Sequence, residues 1–281
     1  MKQIAYLLLL PLLAALSACQ EMPKNTLAMC HDPNAIAEFS FFADDQDFRN
    51  AHPAPLPIEA AHGGQMVEFP VEGGANGRAF AIKPHAQTDK YLLLLHEWWG
   101  LNDYVKREAT YWSHALNINV LAIDLYDGQV ATESELAAKI MQSNDPARSR
   151  AIIAGAMKFA GEKADFRTMG WCFGGGWSLQ TALLAGDKLR GCVMFYGMPE
   201  KDVEKLKTLT SDAVFIHASR DKWITDDVVA EFEANMKAAG KTLAVHRYDA
   251  DHAFANPSSP RYNEAAATQA REVVRAYLAG K

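Results

Sequence analysis

Phe166-Arg167-Thr168-Met169-Gly170-Trp171-Cys172-Phe173-Gly174-Gly175-Gly176 is the stretch on which the reading of this chain turns. Residues 166–170 have the length and apolar content of a buried strand, and a helix-length segment at 178–185 leaves the glycine run and ends at Gly186. A strand that turns sharply into a helix around G-x-nucleophile-x-G forms a nucleophile elbow. The turn strains the backbone of its central residue and leaves no room for side chains on either side, which Gly170 and Gly174 satisfy. The helix N-terminus then directs unpaired N–H groups and its dipole at that residue, lowering a thiol pKa and stabilising an oxyanion. The central residue is Cys172. Taken alone, the same letters also describe a glycine-rich turn around a buried Cys.

An acid and a histidine must follow such a nucleophile in that order, each after a strand. The strand-like run at 213–217 leads into Ser219-Arg220-Asp221, and the run at 243–248 leads into Asp249-Ala250-Asp251-His252. His252 is placed to accept the thiol proton, and Asp221 to orient its imidazole. Asp226 and Asp227 fall where the first turn of the next helix is predicted. Asp249 and Asp251 are too close to His252 along the chain to take the acid's place easily. Among the nine histidines, His217 and His246 sit inside strands and read as structural.

Working outward, strand-length apolar runs also recur at 66–71, 79–82, 91–95, 120–123 and 192–196. Helix-length segments are predicted at 102–116, 132–141, 147–160, 226–239 and 262–278, with Asn102 as a helix cap and Gly240 as a helix stop. This alternation predicts an α/β domain over residues 64–281, with a mostly parallel sheet of about eight strands and helices on both faces. Tyr91-Leu92-Leu93-Leu94-Leu95 is apolar at every position, as a central parallel strand requires. No internal repeat is visible.

Residues 64–281 resemble the dienelactone hydrolase family, an α/β-hydrolase branch with a Cys nucleophile. The resemblance rests on His96-Glu97-Trp98-Trp99-Gly100-Leu101-Asn102, Asp124-Leu125-Tyr126-Asp127-Gly128, the run from Gly170 to Gly176, Asp221, and His252-Ala253-Phe254, in this order. It implies a role for Glu97 beside the resting thiol, controlling when the thiolate forms. It also implies an oxyanion hole made by the backbone N–H groups of Trp98 and Phe173. His96-Glu97 does not continue as the zinc motif H-E-x-x-H, because Gly100 stands where the second His is needed. Neither a metal nor an organic cofactor is implied. Family members of the chlorocatechol route hold a substrate carboxylate with two Arg, and Gly128 and Asn256 occupy those places here. Trp98, Tyr126, Trp223 and Phe254 are the candidate pocket residues, and Trp177 reads as helix packing. Cys192 lies in an apolar strand and reads as a small core residue.

Upstream, Lys2 precedes an apolar run from Ile4 to Leu16, shorter than the about 20 residues that cross a bilayer as a helix. A basic start, a short apolar stretch and small residues at the end describe a secretory signal over residues 1–18. Leu16-Ser17-Ala18-Cys19 resembles a bacterial lipoprotein signal, which implies cleavage before Cys19 and lipid on its thiol. A plain signal peptide cut near Ala18 would leave Cys19 free. With Gln20 next, the resemblance implies the periplasmic face of the outer membrane in a Gram-negative cell. Residues 19–63 carry five prolines and no sustained period, and are predicted to be a tether whose aromatic cluster, Phe39, Phe41, Phe42 and Phe48, packs on the main domain. Cys30-His31-Asp32 lacks the further ligands of a metal site.

Composition sets the outer bounds. The chain has 281 residues, 49% hydrophobic and 22% charged, with a net charge of -6. These are globular values, and the acidic balance argues against phosphate-backbone binding. Four Cys are too few for a disulfide scaffold at this length. The expected activity is hydrolysis of small carboxylic esters or lactones through an acyl-enzyme, with no obligate protein partner. A thioesterase or acyltransferase on the same residues, and a non-catalytic envelope binding lipoprotein, are the alternatives.

Overall fold

The computed structural model describes residues 35–60 and 62–281. The predicted signal, Cys19 and Cys30 lie outside the described residues. One eight-stranded sheet runs in the order β1-β2-β4-β3-β5-β6-β7-β8. Its strands are β1 (Gln65–Phe69), β2 (Gly77–Ile82), β3 (Lys90–Leu95), β4 (Asn119–Asp124), β5 (Asp165–Trp171), β6 (Leu189–Phe195), β7 (Ala213–Ala218) and β8 (Leu243–Tyr248). β1 and β2 pair antiparallel with each other, β2 pairs antiparallel with β4, and every pairing from β4 through β8 is parallel. Leu92, Leu93, Leu94 and Leu95 of β3 point alternately to opposite faces, and all four are fully buried. Helices therefore cover both faces, which is the α/β-hydrolase arrangement predicted from the sequence.

The chain leaves β3 toward β4, crosses back to β5, and then continues away through β6. The order thus reverses between β3 and β5, which pair in register from Lys90↔Asp165 to Leu95↔Gly170. Ligands of such sheets bind at the carboxyl ends of the strands beside this reversal. The segments carrying Glu97 and Trp98, and Cys172, emerge there side by side.

Helix boundaries follow local chemistry. α3 (Asp103–Leu116) is capped by Asn102, whose side chain accepts from the Val105 N–H. Pro146 opens α5 (Pro146–Ala160) after Asp145 as cap, and Thr225 caps α8 (Asp226–Ala238). α4 (Ser134–Ser143) and α9 (Glu264–Ala279) complete the predicted helices, and a single turn, α7 (Val203–Leu206), was not anticipated. The helix after the elbow, α6 (Phe173–Ala185), begins earlier than predicted. Its glycines are helical because neighbouring backbone occupies the space where side chains would stand, so packing overrides their poor helix propensity.

The segment expected as a tether is structured over its described part. It holds α1 (Ala35–Ser40), a 3-10 turn (Phe41–Asp44) and α2 (Gln46–Ala51). Ile36, Phe39, Ala43 and Phe48 are buried. Polar contacts fasten its perimeter: Gln142 Nε2 donates to Asp44 at 2.6 Å, Arg49 pairs with Glu135 at 3.2 Å, and Lys201 Nζ donates to Glu38 at 3.1 Å. The chain then runs past His52, and the Leu56 N–H donates to the Ser258 carbonyl at 2.8 Å.

Candidate active site

Cys172 stands at the junction of β5 and α6 with φ 56° and ψ −122°. A non-glycine residue held there stores about 1–3 kcal/mol of backbone strain, which surrounding structure must enforce. Here the Cys172 N–H donates to the Phe195 carbonyl at 3.0 Å, and the Gly175 N–H donates to the Cys172 carbonyl at 2.9 Å. The side chain is buried, with the residue 1% exposed. Burial, then the nearby Glu97 carboxylate, push its thiol well above the ordinary value. The backbone N–H groups of Phe173 and Trp98 oppose that shift by donating toward the sulfur. The thiol therefore rests against the two donors that the family resemblance assigns to an oxyanion hole.

Asp221 follows β7 and His252 follows β8. Asp221 Oδ1 accepts from the N–H groups of Trp223 (2.9 Å) and Ile224 (3.1 Å), which fixes the carboxylate. Its Oδ2 lies 2.5 Å from His252 Nδ1. A carboxylate only accepts, so Nδ1 carries a proton, and in the neutral ring Nε2 presents its lone pair. That Nε2 is buried and has no protein partner. The structure thus joins His252 to Asp221 and holds the sulfur on the donor pair rather than on the imidazole. Asp249 and Asp251 instead pair with Arg220 on the surface. Asp226 lies in the first turn of α8 and accepts from His217 Nε2 at 2.9 Å.

Glu97 follows β3 and is buried. Its Oε2 accepts from Asn256 Nδ2 at 2.5 Å, and its Oε1 has no protein partner. Burial pushes its carboxyl up to about 7, against the Asn256 hydrogen bond, which favours the ionised form. Asn256 is itself locked, because its Oδ1 accepts from the Ser258 N–H (2.8 Å) and hydroxyl (2.7 Å). Gly128 has φ 94°, a conformation an Arg there would rarely adopt. His96 is structural: Nδ1 donates to the Glu97 carbonyl at 2.7 Å, and Nε2 accepts from the Leu125 N–H at 3.1 Å.

Three of the four candidate pocket residues reach the site. Trp98 is buried with its Nε1 unpartnered. The Tyr126 ring lies 5.5 Å from Phe173, and burial, then the nearness of Cys172, hold its phenol well above the ordinary value. The Trp223 ring lies 6.0 Å from the His252 ring. Phe254 packs on Tyr196 (5.6 Å) and Tyr248 (5.5 Å), one layer away from the imidazole. Trp177 and Cys192 are fully buried, and burial pushes the Cys192 thiol up to about 11. Among the described residues, no group of three or more His, Cys, Asp or Glu is placed to hold a metal ion.

The sequence led us to expect the aromatic cluster to pack on the main domain, and Phe39 and Phe48 do so while Phe41 is exposed, but not that this segment roofs the site. Phe48 packs edge-on against Trp98 and Trp223, each 5.0 Å away, and the His52 ring lies 5.1 Å from the His252 ring. Tyr196 closes the other side at 4.9 Å. His252 is 0% exposed and Asp221 6%. The aromatic cluster at residues 39–48 was the visible signal; nothing local marked His52 or Tyr196. Trp223 Nε1 donates to Asp45 Oδ2 at 3.0 Å and ties roof to wall. Asp45 also caps α2 by accepting from the Asp47 N–H at 2.8 Å, so Asp45→Ala removes both the tie and the cap, each worth about 1 kcal/mol, and roof opening should rise by at least roughly tenfold. Iodoacetamide labelling of the Cys172 peptide should accelerate accordingly, while the Cys192 peptide stays unlabelled. An unchanged Cys172 rate would show that Asp45 does not hold the roof down.

With this geometry in hand, comparison with known proteins is decisive about family. The model of the dienelactone hydrolase family matches residues 78–280. The chain belongs to the dienelactone hydrolase family. It is a hydrolase of the α/β-hydrolase fold. Among curated relatives, carboxymethylenebutenolidase 1 of Cupriavidus pinatubonensis is 25% identical over 219 residues, spanning 73% of this chain and 92% of the relative. Protein usf of Aquifex pyrophilus is 26% identical, spanning 69% and 87%. Among solved structures, a putative dienelactone hydrolase from Klebsiella pneumoniae has a TM-score of 0.66 at 19% identity, covering 78% of this chain and 99% of its own. The dienelactone hydrolase-like promiscuous phosphotriesterase P91 from metagenomic libraries has a TM-score of 0.67 at 18% identity, covering 78% and 98%. At these identities the structures bear on fold alone.

Proposed function

We propose that the protein hydrolyses small carboxylic esters or lactones through a Cys172–His252–Asp221 triad and an acyl-enzyme. The observation that carries this reading is a strained Cys172 whose sulfur meets the N–H groups of Phe173 and Trp98, beside an imidazole already oriented by Asp221. The resting thiol is protonated, because burial and Glu97 both disfavour the thiolate. Rotation of the side chain toward His252 Nε2 delivers the proton and frees the donor pair for the substrate carbonyl oxygen. The sulfur attacks, the tetrahedral oxyanion is held by the two N–H groups, and His252 protonates the leaving alcohol. Water then releases the acid.

Substrate range follows from what surrounds Cys172. Several curated relatives, carboxymethylenebutenolidase 1 among them, carry that name, yet Gly128 and Asn256 provide no guanidinium, and the Asn256 amide is committed to Glu97. Neutral aryl or alkyl esters and lactones fit this aromatic surround better than lactones bearing a carboxylate. The direct test is brief incubation with p-nitrophenyl acetate, acid quench and peptide mass analysis. The mass of one acetyl group should appear on the Cys172 peptide; acetylation elsewhere, or none, would refute the mechanism.

Glu97 sets when the thiol can ionise. Above about pH 7 its charge opposes the thiolate; below, it is protonated. Glu97→Gln should therefore speed Cys172 alkylation several-fold at pH 8, with little change at pH 5.5, where Glu97 is already protonated. Its raised pKa also means that folding binds a proton: the stabilisation is complete below pH 4.5 and is lost as pH rises through about 7. The variant should lack that loss in urea titrations at the two pH values.

At the amino terminus, we propose that Cys19 carries lipid and holds the enzyme at the bacterial envelope. Labelled fatty acid should enter the wild-type chain and not Cys19→Ala.

A further inference from the structure

His52 is a second buried histidine at the triad, brought there by the amino-terminal roof. Its Nδ1 lies 2.6 Å from the Phe48 carbonyl. A carbonyl only accepts, so Nδ1 is the protonated nitrogen and Nε2 holds a lone pair. That Nε2 is buried without a protein partner, as is His252 Nε2. Burial, then the neighbouring His252, hold the His52 imidazole well below its ordinary pKa, so it is neutral. The two rings meet edge to face, with Trp98 (5.4 Å) and Trp223 (5.5 Å) around His52. A buried acceptor left unmade costs about 1–3 kcal/mol, and packing alone would be served better by a Phe.

We propose that His52 is a water-positioning residue for deacylation, its Nε2 accepting one hydrogen bond from the water that attacks the acyl-enzyme. This rests on the Cys172–His252–Asp221 reading above. A water has two O–H bonds, and the closed site offers two unprotonated imidazole nitrogens on adjacent rings. The water oxygen bonds to the thioester carbonyl carbon. One of its protons passes to His252 Nε2; the other stays on the oxygen, held by His52 Nε2. Collapse breaks the C–S bond, the proton on His252 passes to the Cys172 sulfur, and the product leaves as a carboxylic acid. Acylation uses no water, so His52 acts on the second half of the cycle alone.

His52→Phe keeps an aromatic roof and removes the acceptor; His52→Gln restores an acceptor at similar reach. Stopped-flow with p-nitrophenyl acetate on the full-length protein separates p-nitrophenol release in acylation from later turnover, and intact mass follows the acetyl-enzyme. The expected result is a His52→Phe acylation rate within about threefold of wild type, with deacylation slowed at least about tenfold and acetyl-Cys172 persisting. His52→Gln should recover most of the deacylation rate. Equal loss of both steps in both variants means His52 only packs, and overturns the proposal. So does an unchanged deacylation rate, or a defect confined to acylation or KM, which would make His52 a substrate contact. Cys172→Ala is run alongside: acetylation or turnover persisting there condemns the triad itself, whereas its loss beside an unaffected His52→Phe condemns only the role of His52.

Discussion

Cys172→Ala and His252→Ala are each expected to lower kcat/KM for a short aryl ester by at least about 1000-fold, with the fold intact. The size follows from what is removed. Without the sulfur no thioester forms, and without the imidazole a thiol kept protonated by burial has no acceptor for its proton. The remaining N–H groups of Phe173 and Trp98 still polarise a carbonyl, so a small residual rate over water is expected rather than zero. Asp221→Asn should cost about as much, because its 2.5 Å contact with Nδ1 fixes which imidazole nitrogen is free. Loss should be non-additive: the Cys172→Ala/His252→Ala double variant should be no worse than either single one. Thermal melts within a few degrees of wild type would certify the fold, and undiminished ester turnover in Cys172→Ala would remove the nucleophile from the mechanism.

Gly174→Ala is expected to abolish the folded state, not merely activity. A Cβ at that position would lie 2.1 Å from the Leu95 carbonyl oxygen and 2.4 Å from that of His96. Both obstacles are backbone at the end of β3, and neither can rotate away. Relief requires separating α6 from β3, which breaks the register that pairs Leu95 with Gly170. Such overpacking falls in the rare class above about 4 kcal/mol, against a typical total stability of about 5–15 kcal/mol. Expression should yield little soluble protein, and any soluble fraction should unfold at markedly lower urea. A wild-type midpoint for Gly174→Ala would show that the elbow is looser than its contacts imply.

The alternation of apolar runs with helix-length segments made the sheet legible, because each parallel strand must be apolar on both faces and each crossover needs a helix. The elbow was legible for a similar reason: steric exclusion writes itself as glycine at fixed spacing. The roof was not. α1 and α2 are each six residues long, too short to display a helical period, and the prolines after them read as linker. What places Phe48 and His52 is contact with Trp98, Trp223 and His252, far away in the chain. Asn256 illustrates the same limit. From the sequence it was a missing guanidinium; in the fold it is the residue that grips Glu97 across 159 positions.

The roof over Cys172 has a consequence for the protein's durability. Oxidants act on exposed thiolates, and this sulfur is neither exposed nor ionised at rest. Peroxide should convert it to sulfenic acid slowly, and faster only while an open roof and a neutral Glu97 coincide with proton transfer to His252. On the proposed mechanism, Cys172 is thus held in reserve between turnovers and shielded from oxidation by the same roof that encloses His252.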